Sequence, residues 1–85
     1  MKIHELKLIY PYFDEVFCRN KTFEIRKNDR DFKLGDVLHL RHYKPESNEY
    51  GGSSILCEIT YILDDPIYVK EGYVILGIRN IKEFY

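Results

Sequence analysis

Tryptophan is absent from this chain of 85 residues, methionine occurs once, cysteine twice, and neither sign of charge dominates. Each shortage excludes something. With 13 basic against 14 acidic residues and a formal net charge of -1, no tail is dedicated to polyelectrolyte binding. An apolar content of 45% argues against disorder. Apolar runs such as Ile62-Leu63 and Val74-Ile75-Leu76 fall far short of the roughly 20 residues that a membrane-spanning helix needs. Met1-Lys2-Ile3-His4-Glu5 puts an acid where the apolar stretch of a signal peptide would begin, so a cytoplasmic location is expected. Cys18 and Cys57 form no C-x-x-C pair and have no histidine at ligand spacing; no metal site is expected, and both read as small core residues.

What is present is apolar patterning. A chain this short hides only roughly 60–65% of the surface its unfolded form exposes. Eight tyrosines and five phenylalanines offset that thin core with large rings. No repeat or linker divides the chain, and one domain over residues 1–85 is expected.

His4-Glu5-Leu6-Lys7-Leu8 alternates, as a half-buried strand requires. Past Pro11, Phe13, Val16 and Phe17 recur at spacings of three and four, predicting a helix of two or three turns that Asn20 ends in a left-handed conformation. From Thr22 the period becomes two: Phe23 and Ile25 are expected to face the core, with Thr22, Glu24 and Arg26 on a polar face. Lys27 to Asp31 holds no apolar residue and predicts a solvated loop, followed by a turn at Gly35 and a strand from Val37 to Tyr43. Pro45 to Ser54, with Gly51-Gly52, predicts a hairpin connection of some length. A strand from Ile55 to Leu63 should place Ile55, Cys57, Ile59, Tyr61 and Leu63 on one face, and Tyr73 to Ile81 should be the central strand. Five or six strands and one helix after the first strand define an α+β, mainly β fold: a small, partly closed β-barrel.

Lys21-Thr22-Phe23-Glu24-Ile25-Arg26, after a short helix and before Phe32-Lys33-Leu34-Gly35-Asp36-Val37-Leu38, resembles the activating signal cointegrator homology (ASCH) superfamily. Its pattern runs G-x-K-x-x-E-x-R, then a loop and a G-D-x-[IL] turn, and the likeness extends through Gly72-Tyr73-Val74-Ile75-Leu76-Gly77-Ile78. The chain is most similar to the small bacterial and phage branch of unassigned function. The resemblance implies a pseudouridine-synthase-and-archaeosine-transglycosylase-like (PUA-like) barrel, with the motif lining a pocket that takes RNA or a nucleotide. Arg19 stands where the pattern has Gly.

Chemically, Lys21 and Arg26 offer donors for phosphate, Thr22 a hydroxyl and Glu24 an acceptor for a base amino group. Asn28, Arg30 and Arg41 are placed around them as further contacts. Residues 19–41 carry a net charge of +3 within a chain of net charge -1, which suits a nucleotide or short strand better than a long duplex. Tyr10, Tyr12, Tyr43 and Tyr73 are candidates for base stacking. His39 and His42, three apart on a strand, point to opposite faces and cannot share a metal, and His4 stands alone. All three read as surface or packing residues, and no cofactor is called for.

Two competing classes remain. One ASCH branch resembles an amidohydrolase that deacetylates N4-acetylcytidine through a K-T-x-T-x-R motif; Lys21, Thr22 and Arg26 match, but Glu24 occupies the position of the second Thr, assigned to catalysis. Lys21 is the catalytic candidate under that reading. The other class is a protein-interaction domain that docks through the barrel edge or through Ile81-Lys82-Glu83-Phe84-Tyr85.

Overall fold

The alternating N-terminal segment forms β1 (Ile3–Leu8), which buries His4, Leu6 and Leu8 and exposes the residues between. The computed structural model describes Met1 to Tyr85. After β1 come α1 (Tyr12–Phe17), β2 (Phe23–Lys27), β3 (Val37–Lys44), β4 (Glu49–Leu63) and β5 (Tyr73–Phe84). The strands make one sheet in the order β1-β3-β4-β5-β2, with β1 parallel to β3 and every other pair antiparallel. The sheet is curled into a half-barrel, so the fold is mainly β with one short helix. No helix is long and apolar enough to cross a membrane.

The concave side holds the core: Leu6 and Leu8 of β1, Leu38 and Leu40 of β3, Ile55, Cys57 and Ile59 of β4, and Val74, Leu76 and Ile78 of β5. Phe13 and Val16 of α1 join it from one end, and the Phe13 ring stacks on His42 at 4.8 Å.

The last turn of α1 closes as a Schellman motif, with Asn20 N–H bonded to the Glu15 carbonyl and Arg19 N–H to that of Val16. That geometry places the left-handed residue at Arg19, φ 66°, and not at Asn20 as the residue preferences suggest. The Arg19 guanidinium is held there by two bonds to one Glu83 oxygen, at 2.9 and 3.2 Å. The Asn80 amide ties the same end to β5 through the Val16 carbonyl at 2.9 Å.

Three further expectations are corrected. The connection between β3 and β4 is short and turns at Asn48, φ 54°, so Gly51 and Gly52 lie inside β4. Gly51 is needed there because a Cβ would meet His42 Nδ1 at 2.5 Å. Thr60 is an extra residue opposite the Ile78–Gly77 step, a β-bulge that reverses the side-chain alternation. Tyr61 therefore faces outward at 65% exposure, and Ile62 packs against the core in its place. On β2 the faces are also inverted: Phe23 and Ile25 are 42% and 55% exposed, and Glu24 is buried.

His4 is neither solitary nor a surface residue. Its Nε2 lies 2.8 Å from Asp36 Oδ2, with both side chains buried and the Phe32 ring centred 4.8 Å away. Asp36 also accepts the main-chain N–H groups of Lys2 and Lys33, at 3.1 and 3.2 Å. The Gly35-Asp36 turn thus fastens β1 to β3, and Gly35 supplies its left-handed residue, φ 85°.

Candidate functional site

The curl brings the two outer strands of the sheet, β1 and β2, face to face across a seam. Thr22 O and Asn28 N bond to β5 and the loop before it, so antiparallel alternation turns the main chain of Phe23, Ile25 and Lys27 toward the seam. No ladder spans it. Arg26 Nη2 donates to the Lys7 carbonyl at 2.9 Å and Arg30 Nη1 to the Glu5 carbonyl at 3.1 Å.

A groove of about 550 Å³ opens at the α1 end of this seam. It is lined by Lys7, Leu8 and Ile9 at the end of β1, Tyr12 of α1, and Lys21, Phe23, Glu24, Ile25 and Arg26. Its floor is an ionic triad. Glu24 is only 2% exposed; its Oε1 accepts from Lys21 Nζ at 2.9 Å and its Oε2 from Arg26 Nε at 3.1 Å. A carboxylate buried this deeply is tolerable only when paired, which accounts for the inward turn of β2's polar face. Lys21 Nζ also donates to the Phe23 carbonyl at 2.7 Å, and the Phe23 ring lies 4.8 Å below the ammonium.

Chemically the groove has a cationic floor and apolar walls. Of Lys21's three donors two are engaged within the protein, and Arg26 Nη1 makes no bond there. Those spare donors point to an anionic or carbonyl-bearing group, while Tyr12, Phe23, Ile9 and Ile25 offer surface for a flat ring. Each Glu24 oxygen accepts from one cation and the side chain is buried, so Glu24 positions Lys21 and Arg26.

Of the residues the sequence singled out, Lys21, Glu24 and Arg26 meet in the groove. Arg30 lies next to it, in hollows that also include Arg26. Thr22 does not join them: it lines a separate hollow with Arg19, Ile78, Arg79 and Asn80. Asn28 closes the β2–β5 end through its N–H to the Gly72 carbonyl. Arg41 sits on the outer face of β3, against Glu5 and the Tyr50 ring. Tyr12 is a groove wall, Tyr10 and Tyr43 line a neighbouring hollow with His42, and Tyr73 lies under Lys70 on β5. The sequence reading missed Lys7, Leu8 and Ile9, because nothing local says that β1 is an outer strand facing β2.

The family described as Domain of unknown function (DUF3850) matches residues 3–78, a span that contains every residue of the groove. The chain belongs to this family. It is also similar to a protein of Escherichia phage P2 described as "Uncharacterized 12.9 kDa protein in GpA 3'region", 37% identical over 75 residues. That alignment covers 88% of this chain and 66% of the phage protein, so the chain spans just under two thirds of that relative's length.

Proposed function

We propose that the groove binds RNA or a nucleotide-like ligand, and that the half-barrel is a PUA-like domain of the ASCH type. The observation that carries the reading is Glu24. A carboxylate sealed beneath Lys21 and Arg26 fixes two cations side by side at the floor of a concave site and leaves each with a donor to spare. The convergence of Lys21, Glu24 and Arg26 is what the pattern K-x-x-E-x-R requires of a binding motif. A volume of about 550 Å³ is within the range of small-ligand sites and takes a base with its sugar and phosphate. In this reading Lys21 and Arg26 contact phosphate, and Tyr12 and Phe23 flank the base.

The test is an amide NMR titration with short single-stranded RNAs, cytidine and N4-acetylcytidine at low and moderate salt. Salt-sensitive shifts at Lys7–Tyr12 and Lys21–Arg26 are expected, and they should vanish in a folded Lys21→Ala/Arg26→Ala protein. Undiminished affinity in that variant overturns the assignment. Deacetylated cytidine appearing in the tube would replace binding by hydrolysis, and silence toward every probe would favour a protein-interaction role.

A further inference from the structure

Beyond the groove, the convex side of the sheet carries a second cluster in which cations alternate with aromatic rings. Glu5 and Lys7 of β1 pair in register with His39 and Arg41 of β3, and Tyr43 pairs with Tyr50 of β4. Arg41 Cζ lies over Tyr50, 3.8 Å from the ring centre, Lys7 Nζ is 4.3 Å above Tyr43, and the two tyrosines meet edge to face at 5.3 Å. The Tyr43 hydroxyl is pinned to Asn48 at 3.1 Å, which fixes the ring. Arg41 pairs with the Glu5 carboxylate at 3.5 Å, and Lys7 and Arg30 line the same hollow as Glu5.

This cluster is continuous with the groove. A hollow of about 480 Å³ is lined by Glu5, Leu6, Lys7, Arg26, Arg30 and Tyr50. Lys7 and Arg26 line both spaces. From Leu8 to Glu5 the path runs along β1 for about 10 Å, and two strand spacings of about 5 Å separate β1 from Tyr50. The Tyr50 ring thus lies beyond the groove, across the hollow that Lys7 and Arg26 share with it.

We propose that Tyr43, Tyr50 and Arg41 form a stacking platform for the bases that follow, so that the ligand is an extended single strand of nucleic acid and not a free nucleotide. This rests on the groove's binding a nucleotide. Arg26, Arg30 and Lys7 carry the backbone between the two sites, and stacking on rings or a guanidinium plane is tolerant of sequence, as a repeated path of cations and rings requires.

The probes are AMP and fluorescein-labelled hexamers of RNA and of DNA, titrated against the full chain by anisotropy for the hexamers and by NMR shifts for AMP. Hexamers should bind at least tenfold more tightly than AMP. Tyr43→Ala/Tyr50→Ala should weaken hexamer binding about tenfold and leave AMP binding unchanged. Arg30→Gln, which leaves the rings in place and removes one backbone cation, should lower the hexamer's salt slope by about 0.7. Hexamers that bind no better than AMP, or tyrosine variants that affect both alike, overturn the platform while sparing the groove. Failure of AMP and hexamers together overturns the groove and the platform with it. A preference between the RNA and DNA hexamers identifies which strand the protein takes.

Discussion

Arg26 on β2 donates to the carbonyl of Lys7 on β1 at 2.9 Å, a side-chain link where a barrel would have a main-chain ladder. The same guanidinium holds Glu24 through Nε. A lysine has one ammonium centre and cannot hold both acceptors in that fixed geometry. Arg26→Lys is therefore expected to cost about 1–2 kcal/mol in urea unfolding. It should also speed amide exchange at Leu6 and Leu8, whose main chain faces β3. An unchanged midpoint with unchanged exchange would remove Arg26 from the seam.

Glu24 is expected to be worth more than either cation it holds. Replacing it by Gln leaves Lys21 and Arg26 facing a neutral group, and a loss of about 2–3 kcal/mol should follow. Because Lys21 and Arg26 share that one carboxylate, Lys21→Met should cost less in the Glu24→Gln background than in the native one. Strict additivity in that cycle would mean that the triad does not act as a unit.

Asp36 ties stability to acidity. The hydrogen bond with His4, more than the bonds from the Lys2 and Lys33 N–H groups, holds its carboxyl below the ordinary value of 3.8, against the opposing effect of burial. A lowered value in the folded state means that the stabilisation is complete above about pH 4 and disappears as pH falls through the lowered value. Asp36→Asn should thus be less stable than the native protein near neutrality, and the gap should narrow at about pH 3. A gap that stays constant across that range would show that the Asp36 charge is not linked to folding.

The two thiols should differ sharply in reactivity. Burial, reinforced by the charge of Glu24, pushes Cys57 up to about 12, whereas Cys18, expected in the core, is instead exposed at the end of α1. In the native protein an alkylating reagent near pH 8 should modify Cys18 alone, and Cys57 should react only after unfolding. Rapid double modification of the folded chain would contradict the burial of Cys57.

Arg19 tests the helix end. At φ 66° a side chain with a Cβ is strained by about 1 kcal/mol relative to glycine. Arg19→Ala should therefore be less stable than Arg19→Gly by about that amount, both having lost the contact with Glu83. Equal unfolding midpoints for the two would indicate that the turn relaxes.

The strand periods, the helix over Phe13 to Phe17 and the mainly β class were legible because they depend on neighbours in sequence. Glu24 and Arg26 were legible as a pair for the same reason, since alternation puts i and i+2 on one side; alternation adds Thr22 to them, but the fold instead brings in Lys21, which precedes β2 and reaches Glu24 from three positions away. What was not legible depended on the sheet's order. Which face of β2 turns inward was decided by the pairing of Glu24 with two cations, against the apolarity of Phe23 and Ile25. The reversal at Thr60 came from one unpaired residue, which leaves no mark in the composition of Ile55 to Leu63. The Asp36 partner of His4 lies 32 positions away, and only the parallel pairing of β1 with β3 joins them.

A seam held by two arginines is also an adjustable one. Its width is set by side-chain torsions, which move between staggered wells at small cost, and not by a fixed strand spacing. An anion that draws Arg26 or Arg30 away from the carbonyls of Lys7 and Glu5 loosens the same links that hold the edges together. Under the proposed binding, occupancy and breathing of the half-barrel are coupled through these two guanidinium groups.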